Sequence, residues 1–387
     1  MACSSVQAYK RLSGGSIIRL IVTRPGSGKG RLCKMRDMDS VLFLHPPLNG
    51  FVSGGNRYNQ RMIARAQRLG FPLRSSGISA PGPLIWAREA LAVAHADRIR
   101  LWDSLLMADY PFMLQPSRCV DAWLMHSLPS LNPGLSADAA AVARRLEDTI
   151  AASSGLFLAT GKSLAAELLR RYPNSRVWVC EPGIDANYAW VGRVRSRRAA
   201  PRSGVGLLTV ANLLPAKGYQ ELVTMLRRLM HFSWRWHIVG SGGADRDFAA
   251  RFLAEIRDLV ECGRIIWHGA LEPAPLAALM GQADLYLSAS HFESYGMAVA
   301  EAVAAGLQVI ATEVGDAARI IDRSRAGVCV PVGRPELFAQ CVADRLEAAR
   351  QGRAARDTAP RPYRRWGQAF ATFAAALDAI GQSRHRR

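Results

Sequence analysis

From residue 39 onward the chain alternates short apolar runs with longer stretches whose apolar residues recur at helical spacing. "VLFLH" at 41–45 reads as a strand, and "SGGNRYNQRMIARAQRLG" behind it as a glycine turn opening a helix. "DAWLMHS", "GLFLATG" and "RVWVCEPG" continue the series. A basic, turn-rich stretch, "RVRSRRAAPRSG" at 193–204, interrupts it. Alternation then restarts with "VGLLTVAN", "YQELVTMLRRLM", "RWHIVGSG", "RIIWHGA", "ADLYLSAS", "AVAEAVAAG" and "LQVIATEVG". Such alternation predicts parallel sheets with helices on both faces. Two series joined by an Arg/Ser/Pro/Gly linker predict two doubly wound α/β domains, with a ligand cleft between them at the carboxyl ends of the strands. The expected boundaries are a leader at 1–37, a first domain at 38–190, a basic linker at 191–203, a second domain at 204–345, and a carboxyl-terminal helix and basic tail at 346–387. The leader shows neither helix nor strand periodicity and reads as disordered or as an upstream-start artefact.

Composition narrows the class. A 387-residue chain can bury two cores, and 49% hydrophobic with 21% charged residues excludes a disordered protein. No apolar run approaches the roughly 20 residues that span a bilayer; "SIIRLIV" at 16–22 is short and broken by Arg19. The seven cysteines form no C-x-x-C pair and have no histidine at ligand spacing. They read as reduced and mostly buried, which points to the cytoplasm. The net charge of +19 is concentrated at the ends: residues 1–37 carry +7, residues 345–387 carry +7, and the body only +5. That distribution speaks against a nucleic-acid partner. Basic tails are either solvated ends or a means of attraction to anionic lipid or substrate. "RPGSGKGR" at 24–31 resembles a phosphate loop but has Thr23 where the first glycine belongs and no Ser or Thr after Lys29, so it is rejected.

The stretch richest in chemistry is "HFESYGMAVAEAVAAG" at 291–306. It puts Glu293 at the end of an apolar strand and Glu301 one turn inside a helix, with Ser294, Tyr295, Gly296 and Met297 turning the chain between them. Amide groups at that helix start form an anion site, and Gly296 lets a ligand approach the backbone. A carboxylate on each side of a phosphate-binding turn suits a sugar nucleotide, with hydroxyls at both ends and a diphosphate between. Lys217 in "TVANLLPAKGYQELV" follows another strand; a lone lysine before a helix is usually solvated, but a strand-end position favours a diphosphate partner. Gly240 opens the turn of "HIVGSGG", a weak signal by itself. Gly54 and Gly55 mark the first strand-to-helix turn, and His126 in "WLMHSLP" ends another strand. A histidine in that setting is more often structural than functional, and its loop position shifts the balance only mildly.

The second domain resembles the retaining GT-B glycosyltransferases of glycosyltransferase family 4, the group 1 glycosyl transferases. The likeness runs through "LLTVANLLPAKG", "VGSG", "IIWHGALEPAPLAALMGQADLYLSAS", "ESYGMAVAE" and "AAGLQVIATEVGDAARII" in order. In the first domain only "SGGNRYN", "MHSLP" and "EPGID" echo it, and "YRRWGQAFATF" looks like the family's crossover helix. The resemblance implies a GT-B fold of two Rossmann-like domains, the first on the acceptor side and the second binding the donor. It implies that Glu293 holds the hydroxyls of the transferred sugar and Glu301 those of the ribose. Lys217 and the amides of Gly296 and Met297 would neutralise the leaving diphosphate, Gly55 would approach the phosphate, and His126 would contact the sugar near the reacting centre. Ser294, Tyr295 and Gly240 fall in the donor-binding segments. The family's usual arginine five positions before the lysine is replaced here by Asn212, so one phosphate cation is missing.

The expected reaction is transfer of a sugar from a nucleoside diphosphate sugar to an acceptor hydroxyl of a glycan or lipid-linked sugar, with retained configuration. No D-x-D stretch stands at a strand end, so neither metal nor cofactor is expected. A non-catalytic sugar-nucleotide or glycan-binding protein and a sugar-nucleotide epimerase are the competing readings. Arg57, Arg61, Arg65 and Arg68 recur at helical spacing. They form either a solvated face or a surface that rests on anionic lipid at the inner face of the membrane.

Overall fold

The computed structural model describes residues 40–48, 53–78, 98–107, 119–195, 204–352 and 363–382, and the backbone of strands at 6–11 and 17–22. The chain divides into two compact units, Met1–Gly183 with Trp366–Arg387, and Ile184–Arg365.

The first unit holds strands β1 (Val6–Arg11), β2 (Ile17–Val22), β3 (Val41–His45), β4 (Leu73–Gly77), β5 (Ile99–Asp103), β6 (Val120–Met125), β7 (Leu156–Ala159) and β8 (Arg176–Val179). Its helices up to this point are α1 (Gly54–Leu69), α2 (Ala137–Ser153) and α3 (Lys162–Arg171). The sheet order is β1-β2-β8-β7-β6-β5-β3-β4, and β3 to β8 are parallel throughout. β1 and β2 pair antiparallel, and β2 meets β8 at Ile21↔Trp178. Strands here depart from the expectation of a patternless leader; the run Ile17–Val22 is apolar enough to extend a sheet edge.

Strict alternation assigns the two faces. Val41, Phe43, Leu101, Leu124 and Leu158 pack beneath α1, while Leu42, Leu44, Trp102, Trp123 and Phe157 face the opposite layer. A sheet covered on both sides needs the continuous apolar runs that the sequence supplies. Ser53 caps α1 by accepting from the Asn56 amide, and Gly70 ends the helix in the left-handed region at φ 62°.

The second unit begins with α4 (Ala186–Arg195) and runs β9 (Val205–Val210), α5 (Tyr219–Arg228), β10 (Trp234–Val239), α6 (Arg246–Glu255), α7 (Arg257–Glu261) and β11 (Ile265–Trp267). It continues α8 (Pro273–Gln282), β12 (Leu285–Ser288), α9 (Met297–Ala304), β13 (Gln308–Thr312), α10 (Ala317–Ser324), β14 (Gly327–Val330) and α11 (Pro335–Arg350). Its sheet is parallel, in the order β11-β10-β9-β12-β13-β14. The division at Gly183 falls ahead of the expected linker at 191–203, because α4 packs into this unit. Gly192 lies so close to α9 that a Cβ there would stand 2.6 Å from the Ala304 carbonyl oxygen.

The closing helix α12 (Trp366–Gln382) belongs to the first unit, where Phe370, Phe373, Leu377 and Ile380 complete the core under α1. The described cysteines, Cys119, Cys180, Cys262, Cys329 and Cys341, are all free thiols.

Candidate active site

In the second unit strand order reverses between β9 and β12, the topological switch point at which open parallel sheets leave room for a ligand beyond their carboxyl ends. Lys217 follows β9 and Glu293 follows β12, so both flank that point. Their side chains meet, Lys217 Nζ to Glu293 Oε1 at 2.6 Å, and both are partly open at 20% and 25% exposure. Ser290 Oγ donates to the same carboxylate oxygen at 3.1 Å.

The backbone explains why the pair meets. Gly218 takes φ +68°, and a Cβ there would sit 2.1 Å from the Ala289 carbonyl oxygen, so the turn after β9 presses on the end of β12. The His291 amide donates to the Ala216 carbonyl at 2.8 Å and locks the two loops together. On the other side Gly315, at φ +55°, would place a Cβ 2.8 Å from the Glu293 carbonyl oxygen. The Asp316 amide donates to Tyr295 O at 3.2 Å. Ser294 and Tyr295 are therefore held half-buried in a loop braced from both flanks. Gly296 at φ 91° then starts α9 with no side chain capping its first amides.

Glu301 lies five residues into α9 and is 3% exposed. Beneath the loop, the Tyr286 phenol is pushed well above its ordinary pKa, first by burial and also by the Glu293 and Glu301 carboxylates. Its hydroxyl donates to the Val210 carbonyl at 3.3 Å, so Tyr286 remains a neutral floor below two acids. Asn212 acts as a structural clamp. Its Oδ1 accepts from the Ser241 amide at 3.0 Å and ties the end of β9 to the turn after β10. Gly240 permits that approach, since a Cβ there would stand 1.8 Å from the Ala211 carbonyl oxygen.

The first unit has its own switch point, between β3 and β5. His126, just past β6, is 7% exposed and sits in a network that sequence reading missed. Its Nε2 donates to Asn59 Oδ1 at 3.0 Å, and Asn59 Nδ2 donates to Asp103 Oδ2 at 2.5 Å. The backbone amides of His126 and Leu105 are taken by Ser104 Oγ at 3.0 Å and Asp103 Oδ1 at 2.8 Å. Gly55 lies on the imidazole, where a Cβ would come within 3.2 Å of Cγ. Gly55 and His126 are thus in contact. Asp103 closes an apolar strand just as Glu293 nearly does, a signal that could have revealed it; Asn59 offers none beyond its helical position.

Two Rossmann-like halves with switch-point sites define the GT-B class. Residues 204–348 match the family described as Glycosyl transferases group 1, and this part of the chain is a domain of that family. Among curated relatives, a D-inositol 3-phosphate glycosyltransferase of Xylanimonas cellulosilytica is 30% identical over 257 residues, 62% of this chain and 60% of that protein. The chain spans about 60% or less of the length of the curated relatives it matches. Sucrose-phosphate synthase of Thermosynechococcus elongatus superposes with a TM-score of 0.70 at 16% identity, covering 90% of this chain and 98% of that one. Anabaena HepE in complex with UDP and glucose gives 0.64 at 16% identity, with the same coverage.

Proposed function

We propose that the protein is a glycosyltransferase that moves a sugar from a nucleoside diphosphate sugar to an acceptor hydroxyl of a glycan or lipid-linked sugar, retaining configuration and using no metal. The observation that carries this reading is the Lys217–Glu293 pair beside the uncapped start of α9. Lys217 and the α9 amides neutralise the departing diphosphate, which is the charge that develops as the glycosidic bond breaks. Cationic and dipolar groups of the chain itself take the part that a metal would otherwise play. Glu293 accepts hydrogen bonds from the sugar's hydroxyls and Glu301 from the ribose. The HepE complex with UDP and glucose, on a similar fold, supports a nucleotide-sugar donor.

Glu293 is ion-paired and Glu301 is buried in a helix, so neither is poised as the nucleophile of a double displacement. Retention then follows from same-face displacement. The acceptor oxygen bonds to the anomeric carbon as the diphosphate oxygen leaves, and that oxygen receives the acceptor's proton. The test is incubation with a panel of nucleoside diphosphate sugars, with and without EDTA. Released nucleoside diphosphate, slow without acceptor and insensitive to EDTA, is expected. Binding without release means a sugar-nucleotide-binding protein, an altered donor sugar means an epimerase, and either result sinks the proposal.

A further inference from the structure

The switch point of the first unit carries a histidine that belongs to neither the Lys217–Glu293 pair nor the His126 network. His45 ends β3, in register beside β5, and strand alternation puts it with Asp103 and His126 on the face covered by α1. It is 5% exposed. Its Nδ1 lies 2.7 Å from the Pro46 carbonyl oxygen. A carbonyl can only accept, so Nδ1 carries the ring proton and Nε2 is a bare lone pair. That Nε2 is buried and has no hydrogen-bond partner among the described residues. Buried polar atoms are nearly always satisfied, and an exception at a switch point calls for a ligand. Among the described polar groups nearby, two are already engaged. Asp103 is an acceptor already occupied by the Leu105 amide and Asn59, and Asn59 in turn takes the proton of His126 Nε2.

We propose that His45 Nε2 is the hydrogen-bond acceptor for a hydroxyl of a polyol ligand bound at the carboxyl ends of β3, β5 and β6. The chemistry selects the class. A bare imidazole nitrogen takes an O–H, and the negative field of the Asp103 carboxylate felt by the ring disfavours a phosphate. Burial keeps the imidazole pKa below its ordinary value, against the opposing pull of the Pro46 carbonyl and Asp103, so the ring stays neutral at physiological pH. Phe43, two residues earlier on the same face, packs its ring 5.1 Å from that of His45. With glycosyl transfer as proposed above, on which this assignment of role rests, the ligand is the acceptor, and His45 is a specificity-determining residue for it.

The test uses the full chain labelled with 15N-histidine. His45 is identified among the eight histidines by its loss in His45→Phe. The expected spectrum has protonated Nδ1 and bare Nε2, and adding myo-inositol or methyl α-glucoside moves the Nε2 resonance while inorganic phosphate does not. In transfer assays His45→Phe raises the acceptor KM at least about tenfold and changes the donor KM less than about twofold, the scale of one hydrogen bond to a neutral group. His45→Gln, which keeps an acceptor oxygen, recovers part of the loss. A protonated Nε2, a response to phosphate alone, no response to either polyol up to about 0.1 M, or an unchanged acceptor KM in His45→Phe overturns the proposal. Failure of every donor to release nucleoside diphosphate would instead overturn the glycosyltransferase reading, while the polyol titration still judges the His45 site.

Discussion

At residue scale, Lys217 and Glu293 are both partly open, so charge more than burial sets their worth. Glu293→Gln and Lys217→Ala should each lower turnover at least about 100-fold, the scale for removing a charge-stabilising group at a reacting centre. Thermal midpoints should stay close to the parent's, and near-parental turnover in either variant would refute the site. Glu301 is different, since it is buried and engaged. Glu301→Gln should chiefly raise the donor KM, because a ribose contact binds ground and transition states alike; a pure kcat loss would contradict the ribose role. Asn212→Ala removes the acceptor for the Ser241 amide and should cost on the order of 1 kcal/mol in urea unfolding.

At the scale of elements, the pairing of β10 with β11 brings two imidazoles together. His237 Nδ1 and His268 Nε2 are 2.9 Å apart with nearly parallel rings. Burial, aided by His268 and Arg235, holds the His237 pKa down at about 4, and burial lowers His268 as well. A pair at this distance shares one proton, with one ring donating and the other accepting. The unfolded chain takes up protons first, near pH 6.5, so the stability contributed by neutral His237 is intact above that pH and is lost as pH falls toward about 4. His237 is only half-buried, and solvent screening trims the loss to on the order of 1 kcal/mol. Urea midpoints at pH 7 and pH 5 should differ more in the parent than in His237→Gln; equal differences would show that the pair does not set the acid response.

For the whole molecule, α12 is the piece that returns to the first unit. Phe370, Phe373, Leu377 and Ile380 are each 2% exposed or less. Burying four such side chains contributes roughly 6–12 kcal/mol, comparable to the stability of an entire domain. Truncation after Arg365 should therefore leave the first unit unfolded by circular dichroism and hydrogen exchange; a truncated chain with native protection in β3 to β8 would be the contrary result. The basic stripe of α1 has a mixed character. Arg61 and Arg68 are exposed, while Arg57 and Arg65 are partly buried. No helix among the described residues is long and apolar enough to cross a membrane. Any peripheral binding to a membrane would rest on charge, with each basic residue near anionic lipid contributing on the order of 1 kcal/mol. Co-sedimentation with anionic vesicles, lost at high salt and weakened when the four arginines become glutamine, is the expected outcome. Equal partitioning to neutral and anionic vesicles, or none, would indicate an acceptor met in solution.

The sequence by itself determined the parallel α/β class, the Gly296 turn between Glu293 and Glu301, and the helix start that follows it. Each depends on residues close together in the chain: period-two and helical apolar patterns, and Gly296 directly before Met297. It also carried the strand-end positions of Lys217, His126 and Gly55. What it could not determine was anything set by pairing between distant strands. Lys217 and Glu293 are 76 positions apart, and only the β9–β12 reversal brings them within 2.6 Å. Asn59, Asp103 and His126 come from a helix and two strands, and no local pattern links them. Asn212 read as a missing cation, whereas the fold makes it the clamp of a turn 29 residues away. His45 read simply as the last residue of a strand. Its unpartnered nitrogen exists only because the sheet buries the ring while the Pro46 carbonyl fixes the proton on the other side. Local composition sets which elements form; burial and partner identity, which decide what a polar side chain can do, are properties of tertiary packing.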